Sequence, residues 1–278
     1  MKTNWILENN VFEEEFVDKM IDEICNQNMS VTITNYSSYY SAEDFSDYYD
    51  ENECVICYGS LNFIKNVRNK APWIPGHYCT LENYSCTHYY PVFGNYLLAD
   101  RYIMLPFGEL NRQKNFLYET LGNNDCIFIR PNRGDKIFTG TVVKKENREK
   151  DIDLLGFYDV EPYDLCVVSE PRNIEREWRL VVADSKIITG SEYSPEQKEE
   201  IPQKVIDLGN EICAIDYKPD SVWTMDICKL KDGDFKLLEI GSFSCSGLYR
   251  CDVEIIVKEV SKIAEREWKD IFEMSGNT

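Results

Sequence analysis

The stretch TMDICKLKDGDFKLLEIGSF, residues 224–243, has the pattern of two apolar strands joined by a tight turn. The dipeptide Asp232-Gly233 predicts a two-residue type I′ turn, because that turn requires positive φ at both central positions and glycine adopts positive φ without strain. Counting outward from such a turn makes Asp226 and Glu239 direct cross-strand neighbours. Both faces of the hairpin are otherwise largely apolar, so we expect it inside a covered sheet.

Two carboxylates in direct opposition need a compensating charge. Opposed side chains lie about 5 Å apart at Cβ, and like charges at that separation repel more strongly in a low-dielectric surrounding. A divalent cation such as Mg²⁺, which binds carboxylate oxygens, water and substrate phosphates, would offset the repulsion. A partly solvated pair, or one protonated carboxyl group, would do the same without a metal. The hairpin alone leaves these three alternatives open.

The composition predicts a globular, cytoplasmic protein. Of 278 residues, 43% are hydrophobic and 13% aromatic, which suits a chain with a sizeable core. The formal net charge of −19 repels nucleic-acid phosphates and anionic lipids, so we expect no nucleic-acid partner and no membrane partner. The N-terminal residues lack the apolar run of a signal peptide, and no window approaches the ~20 apolar residues of a membrane span.

The cysteines and histidines raise two further possibilities. Eleven cysteines, an odd number in strand-like segments, fit buried reduced thiols better than a disulfide framework. Cys54 and Cys57 form a C-x-x-C pair that could begin a zinc site, although a short β-rich run favours their packing as small apolar groups. The side chains that could complete such a site are His77, Cys79, Cys86 and His88. A histidine-dependent hydrolase is disfavoured, because only two histidines exist and no G-x-S-x-G pattern occurs.

Strands and helices alternate in the first part of the chain. Apolar spacing predicts an amphipathic helix over 11–26, strands at 31–34 and 54–60, and a helix over 61–69. A closing helix is predicted over 251–272. The alternation favours an α/β lobe at the N-terminus.

Three polar clusters in the remaining chain have one common explanation. The first follows a strand into a glycine-containing loop, the second lies on an extended segment, and the third is the carboxylate pair of the hairpin. Their members are, in that order, Arg130, Arg133 and Lys136; Glu170, Glu177 and Arg179; and Asp226 and Glu239. A Walker A loop is absent. Cations for phosphates, acids for ribose hydroxyls and acids for a metal together predict a site for a nucleoside triphosphate.

Three sequence blocks carry a resemblance to a known family. IFIRPNRGDKIFTG (127–140), VVSEPRNIEREWRLVVADSKIITGSEY (167–193) and VWTMDICKLKDGDFKLLEIGSFSCSGLY (222–249) resemble, in order and spacing, the ATP-grasp superfamily, in particular its phage and bacterial members of uncharacterised substrate. The resemblance covers about 95–272. It implies an α/β (α+β) fold with a pre-ATP-grasp α/β domain at 1–94 and an ATP-grasp domain at 95–278, in which two antiparallel-sheet lobes sandwich the nucleotide.

The resemblance also implies roles for individual residues. Arg130, where the family often has lysine, and Lys136 would contact phosphates, while Arg179 would face the phosphates or the acyl group. Val168, Ser169 and Glu170 would form the hinge that binds adenine, and Glu177 would bind the ribose hydroxyls. Asp226 and Glu239 would hold Mg²⁺. Arg250 is a candidate for holding the acceptor carboxylate and equally a surface residue at a helix start. Lys136, Arg179 and Arg250 are thus the expected catalytic residues, with ATP and Mg²⁺ as cofactors.

The implied activity is ADP-forming ligation of a carboxylate to an amine through an acyl phosphate. Family members usually read E-x-N at the metal, but here Gly241 occupies the third position and supplies no ligand. A nucleotide-binding protein that has lost turnover, and a phosphotransferase, are therefore the alternatives. Tyrosine-rich segments suggest a peptide or protein end as acceptor, with an amino acid as the smaller candidate.

Overall fold

The structure is a computed structural model that describes residues 2–36, 45, 48–135, 137–155, 160–194 and 200–275. The strands are β1 Asn4–Glu8, β2 Ser30–Thr34, β3 Cys54–Tyr58, β4 Ile74–Gly76, β5 Tyr102–Pro106, β6 Cys126–Pro131, β7 Thr141–Lys144, β8 Leu165–Ser169, β9 Ile174–Ala183, β10 Lys186–Glu192, β11 Val222–Leu230 and β12 Phe235–Ser242. The helices are α1 Glu14–Asn26, α2 Leu61–Lys70, α3 Cys86–Phe93, α4 Lys114–Leu121, α5 Arg148–Leu155, α6 Gln203–Cys213 and α7 Val253–Ser275. The prediction of a mixed α/β fold is confirmed.

The chain forms two compact units. One contains 1–80, 177–227 and 240–278, and the other contains 81–176 and 228–239. Each unit is thus assembled from segments that are distant in sequence. The division at 94/95 that the resemblance implies stays a prediction.

The first unit contains a four-stranded parallel sheet in the order β2-β1-β3-β4. The strand β3 is buried throughout, which explains its unbroken apolar run. Helix α1 buries Phe16, Met20 and Ile24, one face of the predicted amphipathic helix. That helix begins at Glu14, three residues later than predicted, because Glu13 has extended ψ and is the N-cap. Its apolar face joins a core that also includes residues of α7.

The second unit contains an antiparallel sheet in the order β5-β8-β6-β7. Residues on β6 and β8, among them Ile129 and Val168, form its core with residues of α4. Strand β8 lies inside the sheet and pairs with both β5 and β6. Its carboxyl end is therefore held on two sides where the chain leaves the sheet at Ser169.

A further four-stranded sheet has the order β10-β9-β11-β12, and β9 and β10 pair in antiparallel orientation. The turn between β9 and β10 has two residues, Asp184 and Ser185, with φ values of 49° and 61°. Ala183 pairs with Lys186 across it. Both central residues thus have the positive φ that a type I′ turn requires.

The turn between β11 and β12 differs from the prediction. Of Asp232 and Gly233, only Gly233 has a positive φ, at 96°. The Gly233 N–H donates to the Leu230 carbonyl at 2.9 Å, and the Leu230 N–H donates to the Asp234 carbonyl at 2.8 Å. These bonds close a three-residue loop in which Leu230 faces Asp234, so the prediction of a type I′ turn is wrong. The opposition of Asp226 and Glu239, which was derived from that turn, stays a prediction.

The cysteines are free thiols. Cys54 and Cys57 are fully buried on β3, and burial raises the pKa of Cys54 to about 11. Both side chains thus pack as small apolar groups, the interpretation that the sequence favoured over zinc. Among the described residues, no three histidine, cysteine, aspartate or glutamate side chains are grouped so that they could hold a metal ion. No helix in the same part of the chain is long and apolar enough to cross a membrane.

The β11–β12 turn generates a stability prediction. An added Cβ at Gly233 would meet no atom within 4 Å, so only backbone conformation opposes a side chain there. Because positive φ costs an ordinary residue about 1–2 kcal/mol, we expect Gly233→Ala to lower the melting temperature by about 2–6 °C. Asparagine tolerates the left-handed region, so Gly233→Asn is the matched control and should melt close to the parent protein. Equal losses in both variants, measured by circular dichroism, would contradict this account.

Candidate active site

The Arg179 and Asp226 side chains form a two-pronged ion pair. The Arg179 Nε donates to Asp226 Oδ1 at 2.8 Å, and Nη2 donates to Oδ2 at 2.7 Å. The side chains are only 11% and 4% exposed. Strands β9 and β11 are neighbours in the sheet, which brings the two residues together. Two parallel bonds in a buried setting fix the guanidinium plane, a geometry that lysine could not reproduce.

The segment after β12 completes the surroundings of Arg179. The Gly247 carbonyl accepts a hydrogen bond from Arg179 Nη1 at 2.8 Å. The Tyr249 ring lies against the guanidinium, with Cζ 5.2 Å from the ring centroid, so a cation–π interaction adds to the ion pair. Burial raises the pKa of the Tyr249 hydroxyl far above its ordinary value, so this tyrosine stays neutral at pH 7.

Arg130 and Glu239 form the second ion pair between a predicted cation and a predicted carboxylate. Arg130 Nη2 donates to Glu239 Oε2 at 3.0 Å, and the two side chains are 13% and 17% exposed. Arg130 also acts electrostatically on Tyr89 and Tyr90, which are fully buried. Burial raises the pKa of both phenols, and the Arg130 charge opposes that rise. Both tyrosines are therefore neutral at pH 7, and the charges of the cluster come from the ion pair.

Of the three predicted hinge residues, Glu170 lines a cavity of about 400 Å³. Val168 and Ser169 end β8 and are buried, whereas the Glu170 carboxylate accepts a hydrogen bond from Asn123 Nδ2 at 2.8 Å. The residues lining the cavity are Asn123, Glu170, Pro171, Arg172, Asn173, Leu230, Lys231 and Asp232. This volume falls in the range of about 300–1,000 Å³ that is typical of ligand pockets.

Neither of these two ion pairs includes the remaining predicted residues. Glu177 is half-buried, and its carbonyl accepts from the Tyr193 N–H at 2.8 Å. Arg133 binds the Asp135 carboxylate through two nitrogens, at 3.0 and 2.8 Å, and its Nη1 lies 3.7 Å from an Asp164 oxygen, so its partners belong to its own unit. Arg250 is exposed. Lys136 lies outside the described residues.

The position of Gly241 is closed by hydroxyl groups. A Cβ at this residue would lie 2.8 Å from Thr224 Oγ1 and 3.2 Å from Ser246 Oγ. Thr224 is buried and donates to the Gly241 carbonyl at 3.1 Å, while Ser246 donates to the Ser242 carbonyl at 2.6 Å. A side chain at residue 241 would therefore require Thr224 to move.

The donor chemistry of the carboxylates fits Mg²⁺. The oxygens of Asp226 and Glu239 are hard donors, and Mg²⁺ is commonly held by one or two carboxylates together with substrate phosphates. Each carboxylate is already neutralised by an arginine. An ionised carboxylate has about four lone-pair sites, so accepting hydrogen bonds from an arginine does not by itself prevent coordination of a cation.

Sequence reasoning missed the residues that support Arg179. Tyr249 and the Gly247 carbonyl lie in the quoted third block, but neither a backbone carbonyl nor a ring face has a signature in sequence spacing. The pairing of Arg179 with Asp226 was also missed, because it depends on β9 and β11 being sheet neighbours.

Solved structures of low sequence identity share the fold. An ATP-grasp RimK domain protein of Sphaerobacter thermophilus superimposes with a TM-score of 0.60 and 11% identity, over 96% of this chain and 98% of that chain. A RiPP-associated ATP-grasp ligase of Chryseobacterium gregarium, in complex with ADP and a leader and core peptide, gives 0.56 and 12% over 95% and 96%. The ATP-grasp ligase PsnB, complexed with a variant of its minimal precursor, Mg and ADP, gives 0.54 and 12% over 94% and 97%. These similarities confirm the ATP-grasp fold.

Comparison with curated proteins finds no match. The family model described as ATP-grasp domain, R2K clade family 2, matches residues 111–259, a segment that contains both arginine–carboxylate pairs. The resemblance inferred from sequence is confirmed. Because the match spans more than half of the 278 residues, this chain belongs to the ATP-grasp superfamily, in the R2K clade.

Proposed function

We propose that this protein is an ATP-dependent carboxylate–amine ligase. The observation that carries the proposal is the match of residues 111–259 to the R2K-clade ATP-grasp domain, within which two predicted phosphate-binding arginines meet two predicted metal-binding carboxylates. Structural neighbours that are ATP-grasp ligases support ligation as the reaction class.

The proposed reaction has two steps. A substrate carboxylate oxygen attacks the γ-phosphorus of ATP, the bond from that phosphorus to the bridging oxygen breaks, and ADP leaves with an acyl phosphate remaining. The amine nitrogen then attacks the acyl carbon, the carbon–oxygen bond breaks, and inorganic phosphate leaves as the amine releases a proton to solvent. Neither step requires a histidine, which agrees with a chain that has only two.

The residues of the site would stabilise charge and position the reactants. The guanidinium groups of Arg130 and Arg179 would neutralise charge on the transferring phosphoryl group, the largest requirement of this chemistry. Lys136 is proposed as a further phosphate contact and Arg250 as a contact to the acceptor carboxylate. Val168, Ser169 and Glu170 would bind adenine at the edge of the 400 Å³ cavity, and Glu177 would bind the ribose.

Mg²⁺, held by Asp226 and Glu239, would supply positive charge to the β- and γ-phosphates. In the structure, Arg179 and Arg130 neutralise these two carboxylates. The existing ion pairs thus support a site whose acids are kept ionised before nucleotide binds.

An amino acid, a peptide or a protein end is the proposed second substrate. Two structural neighbours, PsnB and the Chryseobacterium gregarium ligase, are complexed with peptides, which supports a peptide here. The cytoplasm is the proposed location, since cellular ATP would be available there.

A binding protein without turnover is the second candidate, and Gly241 favours it. The nearby hydroxyls of Thr224 and Ser246 occupy the space into which a larger side chain would extend, so the third ligand of the family pattern is absent. This candidate shares the nucleotide site and differs only in the fate of ATP. A phosphotransferase would differ again by releasing a stable phosphorylated acceptor.

The deciding experiment combines the protein, Mg-ATP and pooled amino acids, peptides and cell extract, with mass spectrometry of nucleotides and adducts. ADP together with a new condensation product establishes the ligase. Bound but intact ATP across all pools supports the binding protein, and a persistent phosphorylated acceptor supports the phosphotransferase. Absence of nucleotide binding would refute all three.

Asp226→Asn should abolish turnover. The substitution removes the charge that holds Arg179 and that would hold Mg²⁺, so we expect ADP formation to fall by at least about 100-fold. Asp216→Asn makes the same chemical change at an exposed residue and should retain full activity. If ADP formation fell equally in both variants while their melting temperatures were unchanged, Asp226 would have no specific role in the site.

Glu239→Gln should weaken the dependence of nucleotide binding on Mg²⁺. We expect the Mg²⁺ concentration for half-maximal binding of a fluorescent ATP analogue to rise by about tenfold, the effect of losing about 1.4 kcal/mol. The control is Glu175→Gln, which breaks the exposed 2.7 Å ion pair with Lys229 and should leave the Mg²⁺ curve unchanged. An unchanged curve for Glu239→Gln would exclude this residue as a metal ligand.

A further inference from the structure

A second, smaller cavity lies in the first compact unit, beside the surroundings of Arg179. Its volume is about 210 Å³, and it is lined by Val11, Phe12, Glu13, Phe16, Gly247, Leu248 and Tyr249. Two of these residues, Gly247 and Tyr249, contact Arg179 directly, through a hydrogen bond and a cation–π interaction. The cavity therefore adjoins the Arg179–Asp226 pair without containing either residue.

The walls of this cavity are aromatic and aliphatic. Phe12 stacks on Tyr58 with ring centroids 4.5 Å apart, and Tyr58 is anchored by its hydroxyl to the Ser246 carbonyl at 2.7 Å. Phe16 and Leu248 are buried beside it. Ring positions fixed in this way form a preshaped surface, and the volume lies below the roughly 300–1,000 Å³ of sites for drug-sized ligands. The cavity is thus suited to a single apolar side chain.

One charged side chain borders the cavity, the carboxylate of Glu13. It is the N-cap residue of α1, yet its side chain makes no capping hydrogen bond. Glu14 and Glu15 follow it, and Lys19 neutralises Glu15 through an ion pair at 2.7 Å. The Arg250 charge also acts on Glu15, so three carboxylates and two cations leave a net negative charge at the start of α1, which attracts an ammonium group.

We infer that this cavity binds the amine-bearing substrate: an amino acid or the first residue of a peptide, with its apolar side chain among Phe12, Phe16 and Tyr249 and its amino group beside Glu13. The inference rests on the proposed ligase function and specifies its amine. Placement next to Gly247 and Tyr249 would couple occupancy of the cavity to the orientation of Arg179. Glu13 is accordingly the residue that selects a positively charged amino group on the substrate. The aromatic walls select a substrate with an apolar side chain.

The test measures binding without requiring turnover. The full-length protein is titrated by calorimetry with leucinamide, glycinamide and N-acetylleucinamide, each with and without Mg²⁺ and a non-hydrolysable ATP analogue. We expect leucinamide to bind at least about tenfold more tightly than glycinamide, which lacks the side chain, and than N-acetylleucinamide, which lacks the charge. Equal affinities for the three probes, or no binding of leucinamide under either condition, would overturn the inference.

Three variants locate the binding. Glu13→Gln should weaken leucinamide binding about tenfold and leave the acetylated probe unchanged, whereas Glu14→Gln, the same change at a neighbour that does not line the cavity, should have less than about a twofold effect. Gly247→Val adds atoms to the wall, since a Cβ there meets the Tyr249 ring at an ordinary 3.9 Å. That variant should exclude leucinamide. Unchanged leucinamide binding in both Glu13→Gln and Gly247→Val would place the amine elsewhere.

Nucleotide binding, recorded on the same samples, separates this inference from the proposed function. If the ATP analogue binds and ADP forms with extract while leucinamide binding fails, the ligase stands and the cavity assignment is overturned. If leucinamide binding responds to Glu13→Gln as expected but no nucleotide binds, the cavity assignment stands and the ligase is refuted.

Discussion

The buried pairing of Arg179 with Asp226 is the interaction on which the organisation of the site depends. A carboxylate that is 4% exposed cannot remain charged without a partner, because desolvation of an isolated buried ion costs several kcal/mol. The bidentate guanidinium supplies that partner, and the Gly247 carbonyl and Tyr249 ring hold it in one orientation. Residues from two sheet strands and from the segment after β12 are thereby tied to one charge. Removing either member would leave the other buried and uncompensated, so the pair constrains the chain as well as the chemistry.

The sequence predicts elements better than it predicts their contacts. Helix α2 and strands β2 and β3 follow directly from apolar spacing, because burial on one face or both leaves a periodic trace. Strand β5 leaves a weaker trace in the sequence, since Tyr102–Pro106 is short and ends in proline. The two hairpin turns show why local rules are incomplete. Asp232-Gly233, the stronger signal, forms a three-residue loop, whereas Asp184-Ser185 has positive φ at both residues.

The difference between those turns lies in their surroundings. Both terminal nitrogens of the Arg266 guanidinium bind the Asp184 carboxylate, and the Asp184 N–H donates to the Ser221 carbonyl at 2.9 Å. These tertiary contacts offset the free-energy cost of positive φ. At the other turn, the Lys231 N–H donates to the Asn173 carbonyl at 3.2 Å, a bond made with a distant segment. The same contrast between local sequence and tertiary contacts holds for the site residues. Residue type and family resemblance identified the arginines and carboxylates, but their partners depend on strand order, which pairing geometry determines and residue spacing does not encode.

The net charge of −19 gives these partnerships a further significance. Exposed acids are solvated and screened, so most of them need no specific cation. Asp226 and Glu239 are shielded from water and each binds one arginine, which is permanently charged. Lysine at position 130 would offer a point charge with a pKa that burial can lower, whereas arginine keeps its charge and directs it through a planar fork. Arginine at both positions therefore suits acids in a buried setting, because its planar fork fits the two oxygens of a carboxylate.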